Sequence, residues 1–296
     1  MPKIFDKDYL SDHIGDTIKY RSRLNDIDEV ENYFIKLCKQ HNIQQSSDCT
    51  ADENTYFKTL NGTTYAGLFI VHPLCFSATM FQMYDAKADN MTPGRHLGWI
   101  KNNLKAGQGT KYVNPNNSEF NKDFDKSFTD IIILPGSNKI YQHTHVEKFK
   151  HLISSIGSNL VLKPHPLTTD EIIKDLSNIK GEAHLASRST DLYFLIDKAR
   201  TVHTTHISET ATTALLLGKQ ISPIDPFNVR LTGGFSHINH FCFSEPDPIT
   251  TLGSIMASPK SGVFHPETDT NWKEKLEQYF EYILEKRDIQ KNHYFY

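Results

Sequence analysis

The chain has 296 residues, 38% of them hydrophobic, four cysteines and a formal net charge of −3. That length suffices for two ordinary domains or one large one. The near-balanced charge argues against general attraction to nucleic acid or to an anionic membrane, while leaving a local basic patch open.

Cys38, Cys49, Cys75 and Cys242 are scattered without a CxxC pair, which argues against a disulfide framework or a cysteine zinc site and predicts reduced thiols. Residues 1–8 lack the apolar run of a signal peptide. No window approaches the roughly 20 apolar residues of a membrane span. The expectation is a soluble, cytoplasmic protein.

Asp26 or Asp28 can cap a helix carrying Val30, Tyr33, Phe34 and Leu37 at spacings of three and four. Residues 42–54 are polar and loop-like. Tyr65 to Val71 reads as a strand stopped by His72-Pro73. Met91 to Thr110 holds four glycines, Arg95, His96, Trp99 and two lysines. Glycines admit close backbone approach and the cations favour an anion, so this is either an active-site loop or a plain surface loop. Tyr112 to Lys126, rich in Asn, Asp and Lys, reads as the linker between halves.

The second half is regular. Apolar runs at 129–134, 160–162, 183–186, 201–204 and 220–224 alternate with helical patterns around Val146, Ile172, residues 191–199 and residues 209–217. Strand and helix alternating at about 15 to 25 residues predict a parallel sheet with covering helices. Ligands of such sheets bind beyond the C-terminal strand ends. Pro135-Gly136-Ser137, Lys163-Pro164-His165-Pro166 and His206-Ile207-Ser208-Glu209 all fall there. Trp272, Leu276, Phe280, Ile283 and Leu284 mark a closing amphipathic helix over 271–287.

Three of these features can carry chemistry. Pro164 and Pro166 hold the backbone extended around His165, and Lys163 beside it makes a cation pair suited to a phosphate. His165 can also protonate a leaving phosphate. Ser208 opens a helix, where hydroxyl and amides favour a phosphate oxygen, and Glu209 is placed to accept from ribose hydroxyls. Both residues are equally readable as an N-cap and a first-turn carboxylate. Lys139 can reach a diphosphate or the sugar. The histidines, among them His143, His145, His184, His203, His237 and His240, show no HExxH or other ligand spacing. No metal is expected.

Lys163-Pro164-His165-Pro166, followed by Ser208-Glu209-Thr210-Ala211 and Gly218-Lys219, resembles the C-terminal half of GT-B glycosyltransferases, notably bacterial polysialyltransferases and capsule Kdo transferases. Pro135-Gly136-Ser137 with Lys139, and Ile14-Gly15-Asp16, are similar to motifs of the heptosyltransferases. The resemblance implies an α/β protein of two Rossmann-like domains with a cleft between them. These would be an acceptor-side domain at 1–126, a nucleotide-sugar-binding domain at 127–270 and a closing helix at 271–296.

The implied activity is inverting, metal-independent transfer of a sugar from a nucleotide-sugar donor to an acceptor hydroxyl, without a further cofactor. His165 and Asp16 would be catalytic, with Asp85 and Asp89 as competing bases. Lys139, Lys163, Ser208, Glu209, Thr210, Ser137 and Arg95 would bind substrate. The acceptor would be a surface glycan, or DNA in a phage-type enzyme acting on a hydroxymethylated base. A nucleotide-sugar epimerase and a non-catalytic nucleotide-sugar-binding protein are the rival readings.

Overall fold

The structure, a computed structural model, describes residues 19–20, 24–45, 55–56, 61–63, 69–71, 89, 112–113, 126–134, 146–157, 159–165, 168–179, 184–188, 190–206, 208, 210–225, 236–264 and 270–290. In chain order the first half gives β1 (Lys19–Tyr20), α1 (Leu24–Gln40), β2 (Gln44–Gln45), β3 (Thr55–Tyr56), β4 (Asn61–Thr63), β5 (Phe69–Val71) and β6 (Tyr112–Val113). Then come β7 (Asp130–Ile133), α2 (Val146–Ser155), β8 (Leu160–Lys163), α3 (Asp170–Ser177), β9 (His184–Leu185), α4 (Leu192–Lys198), β10 (Thr201–Thr204), α5 (Thr210–Leu216) and β11 (Gln220–Pro223). The chain continues through α6 (Ser236–Ser244), α7 (Pro248–Ala257), β12 (Val263–Phe264) and α8 (Trp272–Gln290).

Contacts divide the chain into two compact units. The first comprises the described residues of 7–21 and 101–228, and the second those of 22–100 and 229–296. The described residues of 229–270, grouped by sequence pattern with the 127–228 stretch, fall in the second unit.

The first unit is built on a five-stranded sheet in the order β11-β10-β7-β8-β9, every pair parallel. Numbered along the chain, that order is 3-2-1-4-5, the doubly wound arrangement. The reason is visible in β7. Ile131 and Ile133 pack with Leu195 and Ile196 of α4 and Ala214 of α5. Ile132 and Leu134 pack with Phe149 and Ile153 of α2 and Ile172 and Leu176 of α3. Successive side chains of a strand point to opposite faces, so an unbroken apolar run needs helices on both. Burying each such isoleucine contributes about 2 kcal/mol. A separate antiparallel pair, β1 with β6, uses Tyr112 and Val113, which sequence composition had assigned to a linker.

The helices of this unit carry readable ends. Thr169 caps α3, its side chain accepting from the Ile172 amide, and the Asp191 carboxylate caps α4 by accepting from Tyr193 at 2.9 Å. After α5, the Gly218 amide donates to Leu215 at 2.8 Å and the Lys219 amide to Ala214 at 2.9 Å. Gly218 sits at φ +74, so this is the crossed double bond of a left-handed C-terminal cap. An added Cβ would meet nothing within 4 Å. Gly218→Ala should therefore lose only the conformational penalty, about 1 kcal/mol, read as a lowered denaturant midpoint with unchanged slope.

The second unit has its own core. Val30, Phe34 and Leu37 of α1 pack against Leu276, Tyr279, Phe280 and Ile283 of α8, together with Phe264 of β12. Phe34 and Phe280 meet edge to face, with centroids 6.1 Å apart. β12, β5 and β4 form an antiparallel sheet of three strands. Helices α6 and α7 pack on one another. The α7 start has Asp247 accepting from the Thr250 amide and Pro248 in the first turn, a signal the sequence carries.

Candidate functional site

In a doubly wound sheet the strands nearest the reversal of order open a crevice at their C-terminal ends. Here the reversal lies between β7 and β10, where the covering helices change from the α2/α3 face to the α4/α5 face. Registers make Ile133 level with Lys163 of β8, and His203 of β10 level with Ile132. Thr204 is therefore on the same level as Ile133 and Lys163. His165 and His206 then each follow two residues beyond that level, on the strands flanking β7. Two strand spacings put their backbones roughly 10 Å apart.

The β8 corner is tightly built. Lys163 is only 4% exposed, and its Nζ donates to the carbonyls of Pro164 at 3.0 Å, Ser187 at 3.2 Å and Arg188 at 2.9 Å. Burial pulls this amine down to about 7, opposed by the Asp191 carboxylate and assisted by the Arg188 charge. Sequence reasoning offered the Lys163 ammonium to a phosphate; in the structure its three hydrogens go to three carbonyls. The physical reason is the β9 corner, whose carbonyls close over it.

Arg188 reaches back. Its Nε and Nη2 donate to the Thr168 carbonyl at 3.0 and 2.5 Å, and Nη2 meets Asp170 Oδ1 at 2.6 Å. The Thr168 amide donates to the His165 carbonyl at 2.9 Å. These bonds tie Thr168 both to half-buried His165 and to the β9 corner.

The β10 corner pairs with β11. His206, 5% exposed, donates from its backbone amide to Asp225 Oδ1 at 2.9 Å, and its Nδ1 lies 3.0 Å from the same oxygen. Sequence reasoning missed this pair. Its signal was a polar residue at the end of each of two successive strands, but the pairing needs the strand order. Ser208 Oγ accepts from the Thr210 amide at 3.2 Å, and Thr210 is buried in α5. Of the residues expected to bind, these two thus shape the start of α5. Thr204 Oγ1 is buried without a hydrogen-bond partner.

Deeper in the sheet His203 Nε2 lies 3.1 Å from Asp130 Oδ1. Burial pushes the Asp130 carboxyl up, but the Thr129 hydroxyl, His203 and Arg200 together pull it further down, below its ordinary value. The pair joins β7 to β10 within the sheet.

Asp16, Asp85, Arg95, Ser137, Lys139 and Glu209 lie outside the described residues. Asp89, the remaining candidate base, is in the second unit, where Oδ1 meets Lys260 Nζ at 2.6 Å and Oδ2 accepts from Ser258 Oγ at 2.5 Å. Both its oxygens anchor the turn after α7. Cys38 and Cys242 are free and buried, and burial pushes each thiol up to about 12, so neither is poised as a nucleophile. Among the described residues no cluster of three His, Cys, Asp or Glu is set to hold a metal, and no helix is long and apolar enough to cross a membrane.

No protein-family model, curated protein or solved structure matches this chain.

Proposed function

We propose that the chain is a nucleotide-sugar-dependent glycosyltransferase of the two-domain GT-B type. The observation that carries this reading is the 3-2-1-4-5 parallel sheet with polar corners gathered on either side of its order reversal. Doubly wound sheets bind nucleotides at that point. The donor's phosphates lie between the β8 and β10 corners, with His165 as their contact from the first and Ser208 from the second.

Glu209 accepts from the ribose hydroxyls, and Ser137 and Lys139 complete the donor side, while buried Thr210 shapes the start of α5. Arg95 serves as a further substrate-binding cation. A carboxylate, Asp16 by motif, removes the acceptor proton as the hydroxyl attacks the anomeric carbon with inversion. Lys163 holds the β8 corner in shape instead of touching the donor.

The test is thermal unfolding of the full chain with UDP-, CMP-, GDP- and ADP-sugars. A bound donor at a hundredfold its Kd stabilises by about 2.7 kcal/mol, so one nucleotide class is expected to raise the midpoint. His165→Ala and Glu209→Ala should each lose most of that shift. A panel without any shift, or shifts unchanged in both variants, overturns the proposal.

A further inference from the structure

We propose that His206, held by Asp225, is a second acid–base residue at the donor edge, delivering a proton to the leaving phosphate. This rests on the nucleotide-sugar reading above and adds to it a residue to which the sequence motifs give no role.

Geometry comes first. A single carboxylate oxygen, Asp225 Oδ1, receives the backbone amide of His206 at 2.9 Å and faces its Nδ1 at 3.0 Å. An ionised carboxylate only accepts, so the ring proton in the neutral form belongs on Nδ1. Two bonds to one acceptor fix the turn and the ring together. Nε2 is then the nitrogen that takes up and releases a proton, as in histidines oriented by a carboxylate.

Position comes second. His206 follows the strand at the order reversal itself, one strand closer to it than His165. Both histidines stand two residues beyond the same level, on either side of β7. Thr204, just before, keeps a buried hydroxyl that is bonded to nothing. Leaving such a group unpaired costs about 1–3 kcal/mol, and unpaired groups of this kind need a reason beyond stability.

The step balances. The acceptor oxygen bonds to the anomeric carbon while the bond from that carbon to the phosphate oxygen breaks, its electron pair going to the phosphate. The proton on Nε2 of the imidazolium passes to that oxygen. The acceptor's proton goes to the carboxylate base, and solvent reprotonates the imidazole. Asp225 is the positioning residue, holding the ring through Nδ1 and the turn through the backbone amide.

The alternative is a purely structural clamp between the β10 and β11 corners, and asparagine separates the two. In His206→Asn the side-chain amide donates where Nδ1–H did, but nothing replaces Nε2. With the panel sugar that stabilises the wild type, His206→Asn should keep the stabilisation and a KM within about threefold, while kcat for nucleotide release falls about 100-fold or more. Asp225→Asn should lower kcat about tenfold at similar KM.

His206→Asn turnover within threefold of wild type, with stabilisation intact, overturns this inference alone. So does loss of donor stabilisation in that variant, which would make His206 a binding residue. If His206→Asn does not fold, an unchanged kcat in Asp225→Asn overturns it instead. If no panel sugar stabilises the wild type, the nucleotide-sugar reading falls and takes this inference with it.

Discussion

Lys163→Ala should lower the unfolding free energy by about 3–5 kcal/mol, more than any other single change in the β8 corner. The truncation empties a buried site and leaves the carbonyls of Pro164, Ser187 and Arg188 without their donor. Each orphaned acceptor carries its own desolvation penalty. Lys163→Met fills the space without the charge and should lose less.

The pH dependence separates the two contributions. The unfolded lysine keeps its proton to about 10.5, the folded one only to about 7. Between those values the unfolded chain binds more protons, so stability rises with pH. Below about 7 both states are protonated and the burial penalty is present in full. Urea midpoints of wild type and Lys163→Met measured from about pH 6 to 10 should diverge in favour of the wild type as pH rises. A constant difference would mean that the amine titrates alike in both states.

Phe280→Ala is the second large effect, also about 3–5 kcal/mol, and it falls in the other unit. Phe280 is 1% exposed and packs edge to face on Phe34, with the His41 ring tilted against it, centroids 5.0 Å away. Truncation removes both ring contacts and leaves a cavity lined by α1 and α8. Phe280→Leu should recover a third to a half of the loss by filling part of that volume. Chemical denaturation followed by tryptophan fluorescence suits this measurement, because Trp272 lies in the same cluster.

The sheet was legible because burial on both faces writes a continuous apolar run. Ile131 to Ile133 and Leu160 to Leu162 announce themselves without any partner in view. Helix α8 was legible from its stripe, as was α1. Helices α6 and α7 were not. Ser236-His237-Ile238-Asn239-His240 is built of weak helix formers, and the Asp247-Pro248 start of α7 went unread.

The site was legible as a set of strand ends, and no further. Whether Lys163 faces a ligand or a carbonyl depends on Ser187 and Arg188, more than twenty residues downstream. That His206 belongs with Asp225 follows only once β10 and β11 are neighbours. Sequence periodicity reports the faces of a strand but carries nothing about which strand lies beside it.

The pairing of α1 with α8 also sets a timetable. As the protein is made, Phe34 leaves the ribosome some 250 residues before Ile283, a gap of roughly 12–50 s at ordinary synthesis rates. Over the last 60 or so residues of that interval the sheet of residues 130–223 has all its strands and helices, while the α8 residues that pack on α1 are still to come. The apolar face of α1 thus lacks its α8 partner until late in synthesis, and it is there that a chaperone would be needed.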